Sequence, residues 1–173
     1  MFTYNDGGRK AAGYTGKAGD CVARSIAIAS GYSYATIYEA LAKGMGEQRV
    51  TKRTGKQPRS ARDGIHTGRK WFKDFMVGIG FRWVPTMRIG SGTTVHLDAA
   101  ELPMGRLVVA VSRHYTAMID GVIHDTYDPR RGKSWSFEPD KGQELKANQG
   151  RNVNGVWTEI GGRAVYGFWI KEG

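Results

Sequence analysis

The chain contains 173 residues, of which 40% are apolar and 11% are aromatic. This composition excludes an intrinsically disordered protein and suffices for the core of one domain. The single cysteine excludes an intrachain disulfide, no apolar run approaches the ~18 residues of a membrane span, and no signal peptide is expected from the first residues. The net charge of +10 is compatible with solubility alone, but it also favours a nucleic acid or an acidic protein as partner.

Residues 1–20 are rich in glycine and predict a loop-rich arm. Asp20 is placed to cap a first helix that begins at Cys21, and apolar residues at helical spacing continue this helix to Gly31. Cys21 therefore falls in the first helical turn. Unpaired N–H groups and partial positive charge at such a position make a thiol easier to ionise.

Two further helices are predicted over residues 34–43, ended by Gly44, and over residues 67–80. Between them lies a basic loop, residues 47–68, with almost no apolar and no aromatic side chain. The basic residues here and at the start of the next helix are Arg49, Lys52, Arg53, Lys56, Arg59, Arg62, Arg69 and Lys70. Residues 49–70 therefore predict either a solvated surface or a nucleic-acid-binding flap without a platform for base stacking.

In the second half of the chain the pattern changes to short β-branched runs, which predict strands. The predicted strands are 81–84, 93–97, 106–112, 114–119, 122–127 and 163–170. The run 106–112 leads straight into 114–119, and Asp120-Gly121 predicts a two-residue hairpin turn after it. Residues 129–162 predict an irregular excursion with one edge strand. Helices followed by an antiparallel sheet predict one α+β domain over residues 1–173.

The predicted hairpin turn fixes which side chains share a face of the sheet. With Asp120-Gly121 as the turn, one face carries His114, Thr116, Asp125 and Tyr127. His114 and Asp125 are then diagonal neighbours within hydrogen-bonding reach. This register favours Asp125 over Asp128 as the partner of His114, and a β-bulge would reverse that preference.

A nucleophilic cysteine needs a base that takes its proton and a third group that orients the base. Cys21 on a helix, with His114 and Asp125 on adjacent strands, supplies the three residue types. We therefore predict Cys21, His114 and Asp125 as catalytic residues. Four histidines and one cysteine at irregular spacing form no metal motif, and Gly90-Ser91-Gly92 is a turn rather than a phosphate loop, so neither metal nor cofactor is expected.

The same residues resemble a known architecture. The run from Asp20 to Ala27 is similar to the Asp-Cys segment of the bacteriocin-leader peptidases, and His114-Tyr115-Thr116-Ala117 resembles their histidine strand. Asp125-Thr126-Tyr127 stands where papain relatives carry Asn-Ser-Trp. The resemblance implies a papain-like fold, with N-terminal helices packed on an antiparallel sheet. It also implies a cysteine hydrolase that cleaves an amide, peptide or isopeptide bond.

A second resemblance, to small and mostly uncharacterised phage and prophage proteins, spans most of the chain. It is carried by residues 19–21, 86–92, 114–126 and 165–169. It implies a location in the cytoplasm of a bacterial host or in a virion. The expected partners are a protein or peptide substrate, host proteins included, and a nucleic acid through residues 49–70, with no membrane partner.

One departure from the papain pattern keeps other functions open. Papain relatives carry a glutamine five or six residues before the cysteine as an oxyanion donor, whereas this chain has Thr15 and Gly16 there. The backbone N–H of Cys21, with Asn5 or Thr15, is then the candidate donor set. The alternatives are a non-catalytic phage protein that retains the fold, as a virion component or an inhibitor of a host factor, and a basic nucleic-acid-binding protein.

Overall fold

A computed structural model describes residues 1–48, 60–87, 95–130, 150–153, 156–159 and 163–173. The helices in these ranges are α1 (Cys21–Ser30), α2 (Tyr34–Gly46) and α3 (Lys70–Gly78). The strands are β1 (Phe2–Tyr4), β2 (Phe81–Pro85), β3 (Arg106–Val111), β4 (His114–Ile119), β5 (Val122–Asp125), β6 (Gly150–Val153), β7 (Val156–Glu159) and β8 (Val165–Lys171). Apart from β1, the strands follow the three helices along the chain, so the predicted α+β class is confirmed.

Six strands form one sheet in the order β1-β5-β4-β3-β8-β2. The sheet is mixed rather than antiparallel, because β1 runs parallel to β5 with Tyr4 opposite Asp125. The prediction of a loop-rich arm over residues 1–20 is therefore wrong at its start. Three residues are too few to show a strand period in the sequence, and their pairing partner lies far along the chain.

The two faces of the sheet bury different clusters, since alternate residues of each strand point to opposite sides. Val108 and Ala117 pack beneath Ile26 of α1, in the same cluster as the aromatic residues of α2 and α3. Leu107 and Met118 face the other way. The buried residues Leu97 and Leu102 cover that second face. Both faces of the central strands are therefore closed, which explains their nearly continuous apolar sequence.

The helices differ from prediction at their ends. α1 begins at Cys21 as predicted, and Gly31 ends it with a φ of 81°. α2 continues through Gly44, because that glycine allows close approach of α3: a Cβ there would overlap the ring of Trp71. α3 begins at Lys70 and not at Thr67, whose hydroxyl instead accepts a hydrogen bond from Tyr115.

The strands also depart from prediction. The strands predicted over 106–112 and 114–119 pair as a hairpin, because Ser112 and Arg113 form a tight turn in which Arg113 has a φ of 56°. Arginine is an uncommon residue at a positive φ, so no turn was recognisable there in the sequence. Of the predicted strand 93–97, residues 93 and 94 lie outside the described residues, and His96 forms only an isolated bridge with Ala164.

Two predicted irregular segments lie partly outside the described residues. In the excursion 129–162, β6 and β7 pair with each other as a separate two-stranded sheet, so the prediction of a single edge strand is wrong. In the basic loop 47–68, residues 49–59 are not described. The end that is described is not purely solvated, because Ala61 is fully buried and Ile65 packs against the core.

The packing of α2 on α3 predicts opposite outcomes for two neighbouring glycines. We expect Gly44→Ala to lower the free energy of unfolding by about 1–3 kcal/mol, because its methyl group would displace the Trp71 ring. Gly46→Ala is the matched control, since nothing lies within 4 Å of its Cβ position and alanine is worth up to about 1 kcal/mol over glycine in a helix. Urea unfolding measures both, and an equal effect of the two changes would contradict the close contact.

Candidate active site

The ends of three secondary-structure elements bring the predicted catalytic residues together. Cys21 is the first residue of α1, His114 is the first residue of β4, and Asp125 is the last residue of β5. Cys21 is half-buried, whereas the two others are 7% and 5% exposed. The start of one helix and the ends of two interior strands therefore converge at one place in the fold.

The His114–Asp125 contact follows from the hairpin register. Met118 pairs with Ile123 as the predicted turn requires, and Asp120 and Gly121 have φ values of 47° and 79°, typical of a type I′ turn. The resulting distance from His114 Nε2 to Asp125 Oδ2 is 2.7 Å. The predicted hydrogen bond is thus confirmed.

Asp128, the other candidate for this contact, has a different partner. Its Oδ2 lies 2.5 Å from Nη2 of Arg130, and its side chain is 38% exposed. The preference for Asp125 is therefore borne out for the contact with His114. Tyr127 covers the imidazole instead, because its ring centroid lies 5.1 Å from that of His114.

His114 also interacts with the Cys21 thiol, lowering the pKa of the thiol and being raised in pKa by it. Because Nε2 is engaged by Asp125, Nδ1 is the ring nitrogen available to the sulfur. The backbone N–H of Tyr115 also favours the ionised thiol. The first two residues of β4 thus both act on the ionisation of Cys21.

These contacts shift the two ionisation equilibria toward a charged pair. Burial raises the pKa of the Cys21 thiol, but the hydrogen bond and charge of His114, the N–H of Tyr115 and the charge of Arg24 lower it below the ordinary value of 9.0. Burial lowers the pKa of His114, but the hydrogen bonds and charges of Asp125 and Cys21 raise it to about 9. Both shifts favour a thiolate beside an imidazolium, the reactive form of a cysteine nucleophile.

Asp20 does not cap α1 with its side chain, contrary to prediction. Its carboxylate is 2% exposed and is held by cations: Oδ2 accepts from Nε of Arg9 at 2.8 Å, and Oδ1 lies 3.2 Å from Nε of Arg24. The hydroxyl of Tyr34 donates to the same carboxylate. A buried carboxylate needs such partners more than the helix needs a cap. The first N–H groups of α1, that of Cys21 included, are left without a side-chain acceptor from Asp20.

The predicted second oxyanion donor is not evident among the described residues. Asn5 continues β1 beside Asp125, and its side-chain oxygen accepts from the N–H of Gly7 at 2.8 Å. Thr15 is exposed, and its carbonyl accepts from Arg9. In the described part of the chain neither side chain makes a hydrogen bond to Cys21. The donor role of Asn5 or Thr15 stays a prediction.

The residues that sequence reasoning missed are Tyr115, Arg24 and Thr126. Arg24 carried a signal, because it is the sole charged residue in the otherwise apolar or small sequence of α1. Its Nη1 donates to Oγ1 of Thr126 at 2.5 Å, and the N–H of Thr126 donates to Oδ1 of Asp125 at 2.7 Å. Tyr115 had no sequence signal, since its contribution is a backbone N–H.

An open depression lies in the segment that precedes α3. Its volume is about 390 Å³, and it is lined by Ile65, His66, Thr67, Gly68 and Arg69. One of these residues, Thr67, accepts a hydrogen bond from the hydroxyl of Tyr115 at 2.9 Å.

The chain matches no protein-family model, no curated protein and no solved structure. Within the described ranges, no group of three or more histidine, cysteine, aspartate and glutamate side chains is arranged to hold a metal ion. In the same part of the chain, no helix has the length and apolar character needed to cross a membrane.

The interaction between Cys21 and His114 predicts that the rate of Cys21 alkylation depends on pH differently from that of a free thiol. With iodoacetamide, we expect the reaction to follow a pKa below 9.0, with a further change near pH 9 as His114 loses its proton. His114→Ala should raise the thiol pKa, because burial then acts without the opposing charge. The alkylation rate at pH 7 should fall about tenfold per pKa unit. His124→Gln is the control, and equal profiles for the two variants would contradict the pair.

Proposed function

We propose that this protein is a papain-like cysteine hydrolase that cleaves an amide, peptide or isopeptide bond. The observation that carries the proposal is the continuous contact from Cys21 through His114 to Asp125, with 2.7 Å between the imidazole and the carboxylate. Residue-level resemblance around Cys21 and His114 points to the same chemistry. The proposed substrate is a protein or peptide. The second resemblance, to phage and prophage proteins, favours proteins of the bacterial host as substrates.

In the first half of the reaction, the Cys21 thiolate attacks the scissile carbonyl carbon and forms a C–S bond. The carbonyl oxygen becomes negative, and the N–H of Cys21 at the start of α1 donates to it. His114 gives the proton on Nδ1 to the leaving nitrogen, and the C–N bond breaks. An amine departs and a thioester remains on Cys21.

In the second half, the neutral His114 takes a proton from water as the water oxygen attacks the thioester carbonyl. The C–S bond breaks, and the carboxylic acid leaves. Cys21 returns as a thiolate and His114 as an imidazolium. Asp125 holds the ring in one orientation through Nε2 in every stage, and it stabilises the positive charge whenever the ring is protonated.

The nucleic-acid alternative gains no specific observation from the described residues. Several guanidinium groups there are bound to carboxylates, carbonyls or a hydroxyl of the same chain, the partners being Asp20, Thr126, Lys17, Glu172, Ala29, Asp128 and Ser112. These arginines have partners within the fold, so part of the positive charge has a structural use. Residues 49–59, the centre of the predicted basic flap, lie outside the described residues.

The proposal predicts cleavage that depends on the catalytic residues. A library of host-derived peptides, incubated with the protein and read by mass spectrometry for new termini, should show cleavage that Cys21→Ser abolishes. His114→Ala should slow it by about 10²–10⁴-fold, since it removes the general acid and base.

The two aspartates form a matched pair for the same assay. Asp125→Ala should slow cleavage by up to ~10⁴-fold, because no acceptor then holds the Nε2–H of His114 and orients the ring. Asp128→Ala should leave cleavage unchanged, since that carboxylate binds Arg130 outside the site. Unchanged cleavage by Cys21→Ser would reject the hydrolase, and full biological effect of Cys21→Ala would favour a non-catalytic protein with this fold.

A further inference from the structure

Arg24 is a charged residue on an inward-facing helix. Its neighbours along α1 are apolar or small, and its side chain is only 12% exposed. A guanidinium in such a position is costly unless it is paired and hydrogen-bonded. Arg24 should therefore have specific ionic and hydrogen-bonding partners. The identity of these partners indicates the role of the residue.

Two partners hold Arg24 from different directions. Its Nε lies 3.2 Å from Oδ1 of Asp20, one turn earlier on the same segment of chain. Its Nη1 donates to Oγ1 of Thr126 at 2.5 Å, on the segment that follows β5. Asp20 is itself fixed by Arg9 and Tyr34. The guanidinium is thus ion-paired with the residue just before its own helix, and it is hydrogen-bonded to the segment that follows β5.

Thr126 passes this contact on to the orienting carboxylate. Its N–H donates to Oδ1 of Asp125 at 2.7 Å, and its hydroxyl lies 3.4 Å from the same oxygen. The other oxygen of Asp125 holds His114. Cys21 and Arg24 lie three residues apart on α1, so the helix that carries the nucleophile is bound to the loop that fixes the base.

We propose that Arg24 and Thr126 form a clamp that positions Cys21 against the His114–Asp125 pair. Arg24 is a positioning residue, because it touches neither the sulfur nor the imidazole and acts through Thr126. This role rests on the proposed hydrolase function. It also explains why α1 carries an arginine on this face despite the free-energy cost of burying a charge.

The charge of Arg24 has a separate and weaker influence that the experiment must exclude. It contributes to lowering the pKa of Cys21 and that of Asp6, and the charged groups around it are Asp20, Asp6 and Arg9. Thr126→Val removes the acceptor hydroxyl and leaves every one of these charges in place. Thr126→Ser retains the hydroxyl and is the matched control.

The test measures the rate of Cys21 alkylation by iodoacetamide across pH in wild type, Thr126→Val, Thr126→Ser and Arg24→Gln. Near-ultraviolet circular dichroism and urea unfolding confirm that each variant is folded. We expect Thr126→Val to reduce the rate at pH 6.5 about tenfold, which corresponds to a rise of one pKa unit. Thr126→Ser should stay within about twofold of wild type. Arg24→Gln should fall at least as far as Thr126→Val, although it also loses a charge beside buried Asp20.

The outcomes separate the clamp from the hydrolase. A wild-type profile in folded Thr126→Val overturns the clamp and leaves the hydrolase intact. A lowered rate in Thr126→Val that Thr126→Ser restores supports the clamp, even if no peptide is cleaved. An ordinary free-thiol profile in wild type overturns both. If Arg24→Gln does not fold, the two Thr126 variants still decide the matter.

Discussion

The turn at Asp120 and Gly121 sets the distance on which the site depends. Both residues adopt a positive φ, so β4 and β5 pair without a bulge near the turn. A shift of one residue would move His114 or Asp125 to the opposite face of the sheet. The short contact between imidazole and carboxylate is therefore a property of backbone register, and its energetic consequences for Cys21 follow from that register.

Four charged side chains lie close together in the site, and each is stabilised by an opposite charge beside it. Asp20 is paired with Arg24, and His114 with Asp125. A single unpaired charge at this depth costs several kcal/mol, whereas a connected network satisfies most donors and acceptors. Removal of one member therefore leaves its partner as an unpaired charge in a buried position, which makes the region sensitive both as a structure and as a chemical site.

The sequence predicted those features that are determined locally. Helical spacing after Asp20 placed Cys21 at a helix start, and the Asp-Gly turn placed His114 diagonally across from Asp125. Each of these depends on fewer than a dozen neighbouring residues. The α+β class followed from the order of such local patterns along the chain.

The features that the sequence did not predict depend on distant contacts or on exceptions to residue preference. β1 is only three residues long, and its partner strand lies in the second half of the chain. Arg113 occupies a turn position that glycine or asparagine usually fills. Gly44 looks like a helix end in the sequence, but it serves the packing of Trp71. Asp20 was predicted to cap α1 because its position before the helix is visible in the sequence. The arginines that bind its carboxylate instead cannot be recognised from the spacing of residues along the chain.

The parallel pairing of β1 has a consequence for the order of folding. β3, β4 and β5 are joined by two tight turns, so their contacts are local and form at little cost in loop entropy. β1 and α1 reach this hairpin pair only by closing a loop that contains most of the chain. The base and its orienting carboxylate can therefore associate early, while the nucleophile joins them late. The reactive thiolate is formed only when the two halves of the chain have come together.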